Sequence, residues 1–204
     1  MSRLREAKMH AARRLMEQAA VDLAYEEGIG AVTVDRVCAT AMMSRSTFFN
    51  YFPSLDQAIF GAPLSYDPDL TARVLAQHSR DLVVAACLIV MESVRGQVDD
   101  ELTRKRFALF IREPGTTNAV SWTSHESRQG LENVIADWLR EHPESARLAD
   151  ADPETEARMT VGFSIALGDE VMRLVGDEGG ELPFDVAHFR TVRERMARIS
   201  LPDG

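Results

Sequence analysis

Residues 44–51 carry the side chains of this sequence that are best suited to chemistry with another molecule. They combine short hydroxyls, one guanidinium group, one carboxamide and one phenol, which can hydrogen-bond to base edges and phosphates of DNA. Three phenylalanines, Phe48, Phe49 and Phe52, stand among or beside them and are expected to pack in a core. A helix that packs on one side and enters a groove of DNA on the other needs this mixture.

The neighbouring residues indicate how this stretch is positioned. Thr33 is a suitable N-cap for a short helix over residues 34–41, and Ser44 is a suitable N-cap for a second helix over residues 45–51. A tight turn at Met42 and Met43 joins the two helices, and Pro53 ends the second one. This order of short helix, turn and short helix is typical of a helix-turn-helix unit.

The rest of the chain also has helical periodicity, for example at Leu131, Ile135 and Leu139. No stretch alternates apolar and polar residues over the length of a strand, so the sequence predicts an all-α protein. Turn-forming residues at 61–68 favour a boundary there. We therefore expect a helix-turn-helix domain over residues 1–60 and a second helical domain over residues 61–204.

Charge is distributed unevenly along the chain. The net charge of the chain is −9. Residues 1–60 contain seven basic and seven acidic residues, so residues 61–204 carry all of this negative charge. The first 14 residues hold five bases against one acid. Such a basic arm on an acidic body suggests a polyanionic partner, and a solvated helix end is the alternative explanation.

The cysteines and the apolar runs indicate the compartment. Cys38 and Cys87 form no CxxC motif and no cluster of metal ligands, which favours a reducing cytoplasm. The N-terminal residues lack the apolar core of a secretory signal. The longest apolar run, residues 82–91, is too short for a bilayer, which needs about 20 residues. We therefore expect a cytoplasmic protein without a membrane partner.

Motifs for catalysis and metal binding are missing from the sequence. The five histidines show no HExxH spacing, and residues 162–166 lack the closing glycine of a GxSxG motif. No glycine-rich phosphate loop follows a strand. We expect no enzymatic activity, no catalytic residues, no metal and no cofactor.

The landmarks of the first 60 residues resemble those of the tetracycline-repressor (TetR) family of transcriptional regulators. They run from residues 16–20 through Gly28 and Thr33 to residues 44–48, Ser-Arg-Ser-Thr-Phe, and residues 51–54, Tyr-Phe-Pro-Ser. The resemblance implies that the second short helix is a recognition helix in the major groove of DNA. It assigns contacts with base edges or phosphates to Thr33, Ser44, Arg45, Ser46, Thr47, Asn50 and Tyr51.

The same resemblance implies that residues 61–204 bind a small-molecule effector and form a homodimer. Helices over residues 153–175 and 185–199 would pair across a two-fold axis, with Gly162, Ala166 and Gly168 allowing close approach. The expected function is that of a ligand-responsive regulator, a repressor, which binds a palindromic operator as a dimer. Candidate ligand-binding residues are Phe107, Phe110, Trp122, His125 and Phe163.

Three residues depart from the pattern of the family. Met42 stands where a turn glycine is usual, Phe49 replaces a tyrosine, and Leu55 replaces a lysine. A left-handed conformation at Met42 would cost about 1–2 kcal/mol. Neither Phe49 nor Leu55 can bind a phosphate. The alternative hypothesis is therefore a helical ligand-binding or adaptor protein whose DNA-binding head is weakened or vestigial.

Overall fold

A computed structural model describes residues 3–95, 101–112, 124–177 and 186–200 of the chain. All regular secondary structure in these ranges is helical, which confirms the predicted all-α class. Two short 3₁₀ turns, Ile29–Ala31 and Pro143–Ser145, accompany the α-helices. The α-helices are α1 Arg3–Glu27, α2 Val34–Thr40, α3 Arg45–Tyr51, α4 Leu55–Phe60, α5 Pro68–Gln77, α6 Leu82–Arg95, α7 Glu101–Arg112, α8 His125–Glu141, α9 Pro153–Asp177 and α10 Val186–Ser200.

The first structural unit consists of α1 to α4 together with α7. Helix α1 joins the core of this unit only from Met16 onward, and its described side chains over residues 5–11 are exposed. The fully buried side chains of this core include Met16, Val21, Val37, Phe48, Phe52, Ile59 and Leu109.

Charged side chains attach α7 to the helices before it. Lys105 Nζ donates to Asp22 Oδ1 at 2.8 Å. Arg106 donates from Nε to the carbonyl of Ile59 at 2.7 Å and from Nη2 to that of Ala58 at 3.1 Å. The sequence assigned residues 101–112 to the second domain, whereas these contacts bring α7 into the first unit. Local periodicity does not reveal a contact between residues so far apart in sequence.

The second structural unit consists of α5, α6, α8, α9 and α10. Its core has two apolar clusters. The larger one joins α5, α6, α8 and α9, and the smaller one joins α6, α9 and α10. The most completely buried side chains of these clusters are Ala85, Ala86, Ile89, Ile135, Ala157, Val161, Leu167 and Val171. None of the described helices combines the length and hydropathy that a bilayer-spanning segment requires.

Buried polar side chains fix two loops of the second unit. Ser127 Oγ accepts a hydrogen bond from the backbone N–H of Leu64 at 2.7 Å. The carboxylate of Glu156 accepts from the backbone N–H groups of Arg147 at 2.7 Å and Leu148 at 3.0 Å. Because both acceptor side chains are buried, these bonds give the polar atoms of Ser127 and Glu156 partners inside the protein.

Candidate nucleic-acid interface

Side-chain caps define where the two short helices of the first unit begin. Thr33 Oγ1 accepts a hydrogen bond from the N–H of Arg36 at 3.3 Å, and Ser44 Oγ accepts from the N–H of Thr47 at 3.1 Å. Helices α2 and α3 consequently begin one residue after these caps, at the positions that the sequence indicates. The helix-turn-helix geometry follows directly from these local signals.

The turn between α2 and α3 has the hydrogen-bond pattern of a Schellman motif. The N–H of Met43 donates to the carbonyl of Cys38 at 2.8 Å, and the N–H of Met42 donates to that of Ala39 at 3.3 Å. Met42 has a φ of 54°, the left-handed region that the tight turn demands, and its side chain is 90% exposed. A glycine would occupy this conformation without steric cost.

Helix α3 has one buried side and one exposed side. Phe48 and Phe52 are buried, with ring centroids 5.3 Å apart. Phe49, in contrast, is 51% exposed, so the expectation that all three phenylalanines belong to the core is wrong for this residue. Successive residues of an α-helix differ by about 100° in direction, and burying Phe48 and Phe52 turns Phe49 away from the core.

Six of the seven predicted DNA-contacting residues lie on α3 or at its N-cap, and Thr33 is the N-cap of α2. Thr33, Ser44, Arg45, Ser46 and Asn50 are exposed. Thr47 and Tyr51 are half-buried, so only part of each side chain reaches the surface. The sequence assigned Phe49 to the core and therefore missed that it shares this surface. Its spacing of three and four residues from Ser46 and Arg45 was the signal that could have placed it there.

Hydroxyl groups at the start of α3 bond to one another as well as to the backbone. Ser44 Oγ lies 2.9 Å from Ser46 Oγ and 2.8 Å from Thr47 Oγ1. Because Ser44 also caps the helix, this cluster holds the three side chains in defined positions at the helix N-terminus. Backbone N–H groups and hydroxyls at such a terminus favour an anionic group.

Two arginines of the helix-turn-helix unit form ion pairs with acids of the same unit. Arg45 Nη1 donates to Asp35 Oδ1 at 2.7 Å, and both side chains are largely exposed. Arg36 donates to both carboxylate oxygens of Glu27 and to the carbonyl of Ala31 at 3.0 Å. Hydrogen bonding to Arg36 lowers the pKa of Glu27 below its ordinary value. Exposed pairs contribute little stability, so the Asp35 contact does not prevent Arg45 from binding another anion.

This helix-turn-helix geometry coincides with a match to a known family. Residues 9–57 match the family model described as bacterial regulatory proteins, tetR family. The chain carries a TetR-family N-terminal domain. The resemblance that the sequence indicates is thereby confirmed for residues 9–57.

Solved structures that resemble the whole chain do so at low identity. Salmonella enterica GusR is 16% identical, with 93% of this chain and 95% of that chain covered and a TM-score of 0.46. The FadR protein of Thermus thermophilus, described as a TetR-family transcriptional repressor in complex with lauroyl-CoA, is 18% identical, with coverages of 94% and 96% and a TM-score of 0.47. Similarities of this degree do not extend the assignment beyond the N-terminal domain. The sequence matches none of the curated proteins with which it was compared.

The predicted ligand-binding residues are only partly described. Trp122 and the side chains of Phe107 and Phe110 lie outside the described residues. His125 is exposed at the start of α8, and Phe163 is half-buried on α9. The structure therefore does not bring the five residues together in one described cavity.

Helix α6 carries a polar group that the sequence did not single out. Ser93 is buried, and its Oγ has no hydrogen-bond partner in the described part of the chain. A buried hydroxyl without a partner loses the hydrogen bonds that it makes in water. Ser93 lies four residues after the fully buried Ile89, on the side of α6 that packs in the second unit.

Proposed function

We propose that this chain represses transcription by binding a palindromic operator as a homodimer, and that a small-molecule effector releases it. The observation that carries the proposal is the exposed, capped and polar side of α3, next to a left-handed turn, in a unit that matches a DNA-binding family. A regulator of transcription works where the chromosome is, so the proposal assigns the chain to the cytoplasm.

In this proposal the side chains of α3 divide into two groups. Arg45, Ser46 and Asn50 are exposed and would contact base edges, because guanidinium and carboxamide groups can form paired hydrogen bonds with purines. Thr33 and Tyr51 would bind phosphates, together with the hydroxyl cluster at Ser44 and Thr47.

The basic N-terminal segment would add contacts with the phosphate backbone. Exposed basic side chains, among them Arg5, Lys8 and Arg14, lie on α1. A helix is about 10–12 Å wide, whereas the minor groove is about 6 Å wide. The segment in its helical form would therefore follow the phosphates and would not enter the minor groove.

The exposed side of α9 supports a homodimer. Met159, Gly162 and Ala166 are exposed on this side at helical spacing. A methyl group added at Gly162 would meet no atom of a neighbouring element within 4 Å in the described part of the chain. A second copy of α9 packed there would explain the small residues, because they let two helices approach closely.

The second unit would bind the effector, and Ser93 supports this part of the proposal. A mostly apolar interior with a few polar groups is typical of small-molecule sites. The hydroxyl of Ser93, which has no hydrogen-bond partner among the described residues, would orient such a molecule. Effector binding would favour a dimer whose recognition helices no longer match grooves roughly 34–36 Å apart. Its effect is limited by the difference in its affinity for the two states.

The test begins with selection of duplexes from a random-sequence pool by the full-length chain, followed by affinity measurements across a salt series. We expect Arg45→Ala and Asn50→Ala each to weaken binding of the selected duplex by roughly 5- to 150-fold, the value of a paired base contact. Arg73→Ala is the matched control, because Arg73 is an exposed arginine paired with Glu92 in the second unit. Equal affinity of all four proteins would reject α3 as the recognition helix.

A weakened DNA-binding head remains the second candidate function. Phe49 offers no hydroxyl to a phosphate, and Leu55 is a half-buried apolar residue at the start of α4. Each lost phosphate contact reduces the salt slope by nearly one unit. If no duplex is enriched and no salt-sensitive binding occurs, the adaptor hypothesis replaces the repressor proposal.

A further inference from the structure

Phe49 is an apolar side chain on a surface that is otherwise polar. It is 51% exposed, and its ring meets that of the buried Phe48 edge-on, with centroids 5.4 Å apart and planes at 87°. This contact holds the ring against a core residue, while about half of the side chain remains at the surface. Leaving an aromatic ring half-exposed forgoes part of the free energy of apolar burial.

The neighbours of Phe49 indicate which surface it belongs to. Arg45 and Ser46 precede it by one helical turn, and Asn50 follows it directly. All three side chains are exposed. Phe49 thus lies within the group of residues that the proposed function directs at base edges, so a groove that receives this group also receives the ring.

The chemistry of the major groove limits what the ring can contact there. Phenylalanine has no donor or acceptor, so it can bind neither a phosphate nor the polar atoms of a base. Among the four bases, the apolar group that projects into the major groove is the 5-methyl group of thymine. We propose that Phe49 selects thymine by packing the exposed part of its side chain against this methyl group.

This inference rests on the proposed function and adds a specificity that the polar residues do not supply. Arginine favours guanine and asparagine favours adenine through hydrogen bonds. A phenylalanine beside them would read thymine by shape and apolar contact. Phenylalanine in place of tyrosine then exchanges a phosphate contact for a base contact. Affinity for DNA of any sequence falls, and affinity for sites with thymine at the contacted position is recovered.

The experiment replaces single thymines of the duplex selected by the full-length chain with deoxyuridine, which removes only the methyl group. For the unmodified chain we expect one thymine in each half-site at which the replacement weakens binding by about three- to fivefold, the loss for one methyl group. Phe49→Ala should bind the thymine and deoxyuridine duplexes equally. Phe49→Leu should retain part of the difference, and it serves as the second variant if the alanine protein fails to fold.

Leu15→Ala provides the matched control, because Leu15 is another exposed apolar residue of the first unit, on α1. It should discriminate between thymine and deoxyuridine as the unmodified chain does. The inference is overturned if every replacement leaves the affinity of the unmodified chain unchanged, or if Phe49→Ala retains the full loss. Absence of any selected duplex overturns the proposed function itself, and this inference with it, so the two failures are distinguishable.

Discussion

Helices α3 and α9 both bury one side and expose the other, but their exposed sides differ in chemistry. On α3, the exposed residues Arg45, Ser46 and Asn50 can form directed hydrogen bonds. On α9, the exposed patch of Met159, Gly162 and Ala166 cannot, and the exposed charged residues Arg158 and Glu170 border this patch at helical spacing. Directed hydrogen bonds discriminate among base pairs, whereas small apolar side chains allow close packing with a surface of the same kind. Under the proposed function, α3 would recognise DNA and α9 would form the dimer interface.

The largest expected effect tests the assembly side of this comparison. Ala166→Glu would bury a carboxylate without a partner between two copies of α9, at a cost of about 3–5 kcal/mol. We expect the dimer to dissociate at concentrations roughly 100-fold higher or more than those at which the unmodified dimer does, as measured by analytical ultracentrifugation.

Ala39→Glu is the matched control for that measurement, because Ala39 is exposed on α2 in the first unit. It should leave the dimer intact. If the unmodified chain is monomeric, or if the Ala166→Glu protein dimerises normally, α9 does not form a dimer interface.

A smaller effect concerns the turn before α3. Met42→Gly relieves a left-handed conformation that costs about 1–2 kcal/mol, although glycine loses part of this gain through the greater freedom of the unfolded chain. We expect the free energy of unfolding to rise by about 1 kcal/mol and the Tm by about 2–4 °C in a calorimetric scan. Because Met42 is exposed, the substitution removes little buried surface.

Ala39→Gly is the control for the turn, since it places glycine within helix α2 and should lower the free energy of unfolding by roughly 0.5–1 kcal/mol. A Tm of Met42→Gly equal to or below that of the unmodified chain would contradict the assigned strain. Affinity for the selected duplex should not change if the turn merely supports the surface of α3.

The smallest expected effect concerns Asp35, the acidic residue that forms an ion pair with Arg45 of α3. Asp35→Asn releases Arg45 from its exposed ion pair and removes a charge that repels phosphates. An exposed pair is worth up to about 1 kcal/mol, so affinity for random duplex DNA should rise by at most about fivefold. The salt slope should become steeper by nearly one unit.

Asp56→Asn controls for the change in net charge, because Asp56 is an exposed acid in the first turn of α4. It should alter affinity and salt slope less than Asp35→Asn does. Identical curves for the two variants would mean that Asp35 does not restrain Arg45.

Much of the fold was predictable because its signals are local. The caps Thr33 and Ser44, and Pro153 at the start of α9, mark helix beginnings by the chemistry of a single residue. The left-handed conformation of Met42 agrees with the turn glycine that the family resemblance places at this position. The shared exposed side of Arg45, Ser46 and Asn50 also follows from helical spacing, whereas their contacts with DNA stay a prediction.

What escaped prediction depends on tertiary packing. Phe49 has the apolar side chain that is typical of a core residue. Its exposure results from the orientation of α3, which buries Phe48 and Phe52 instead. The pairing of Arg45 with Asp35 joins two helices whose relative orientation the sequence does not state. The inclusion of α7 in the first unit depends on contacts such as that of Lys105 with Asp22, which no local pattern encodes.

The two hydrogen bonds of Arg106 have a practical consequence for isolating the DNA-binding head. Arg106 lies on α7 and donates to two carbonyls at the end of α4. Leu109, also on α7, is fully buried in the first unit. A fragment that ends at residue 62 would lack α7. The apolar surface that Leu109 covers would then be exposed to solvent, and the end of α4 would fray because its carbonyls lose these hydrogen bonds. A minimal head for crystallisation with DNA should therefore carry residues 101–112 by a designed linker instead of ending where the sequence suggests a boundary.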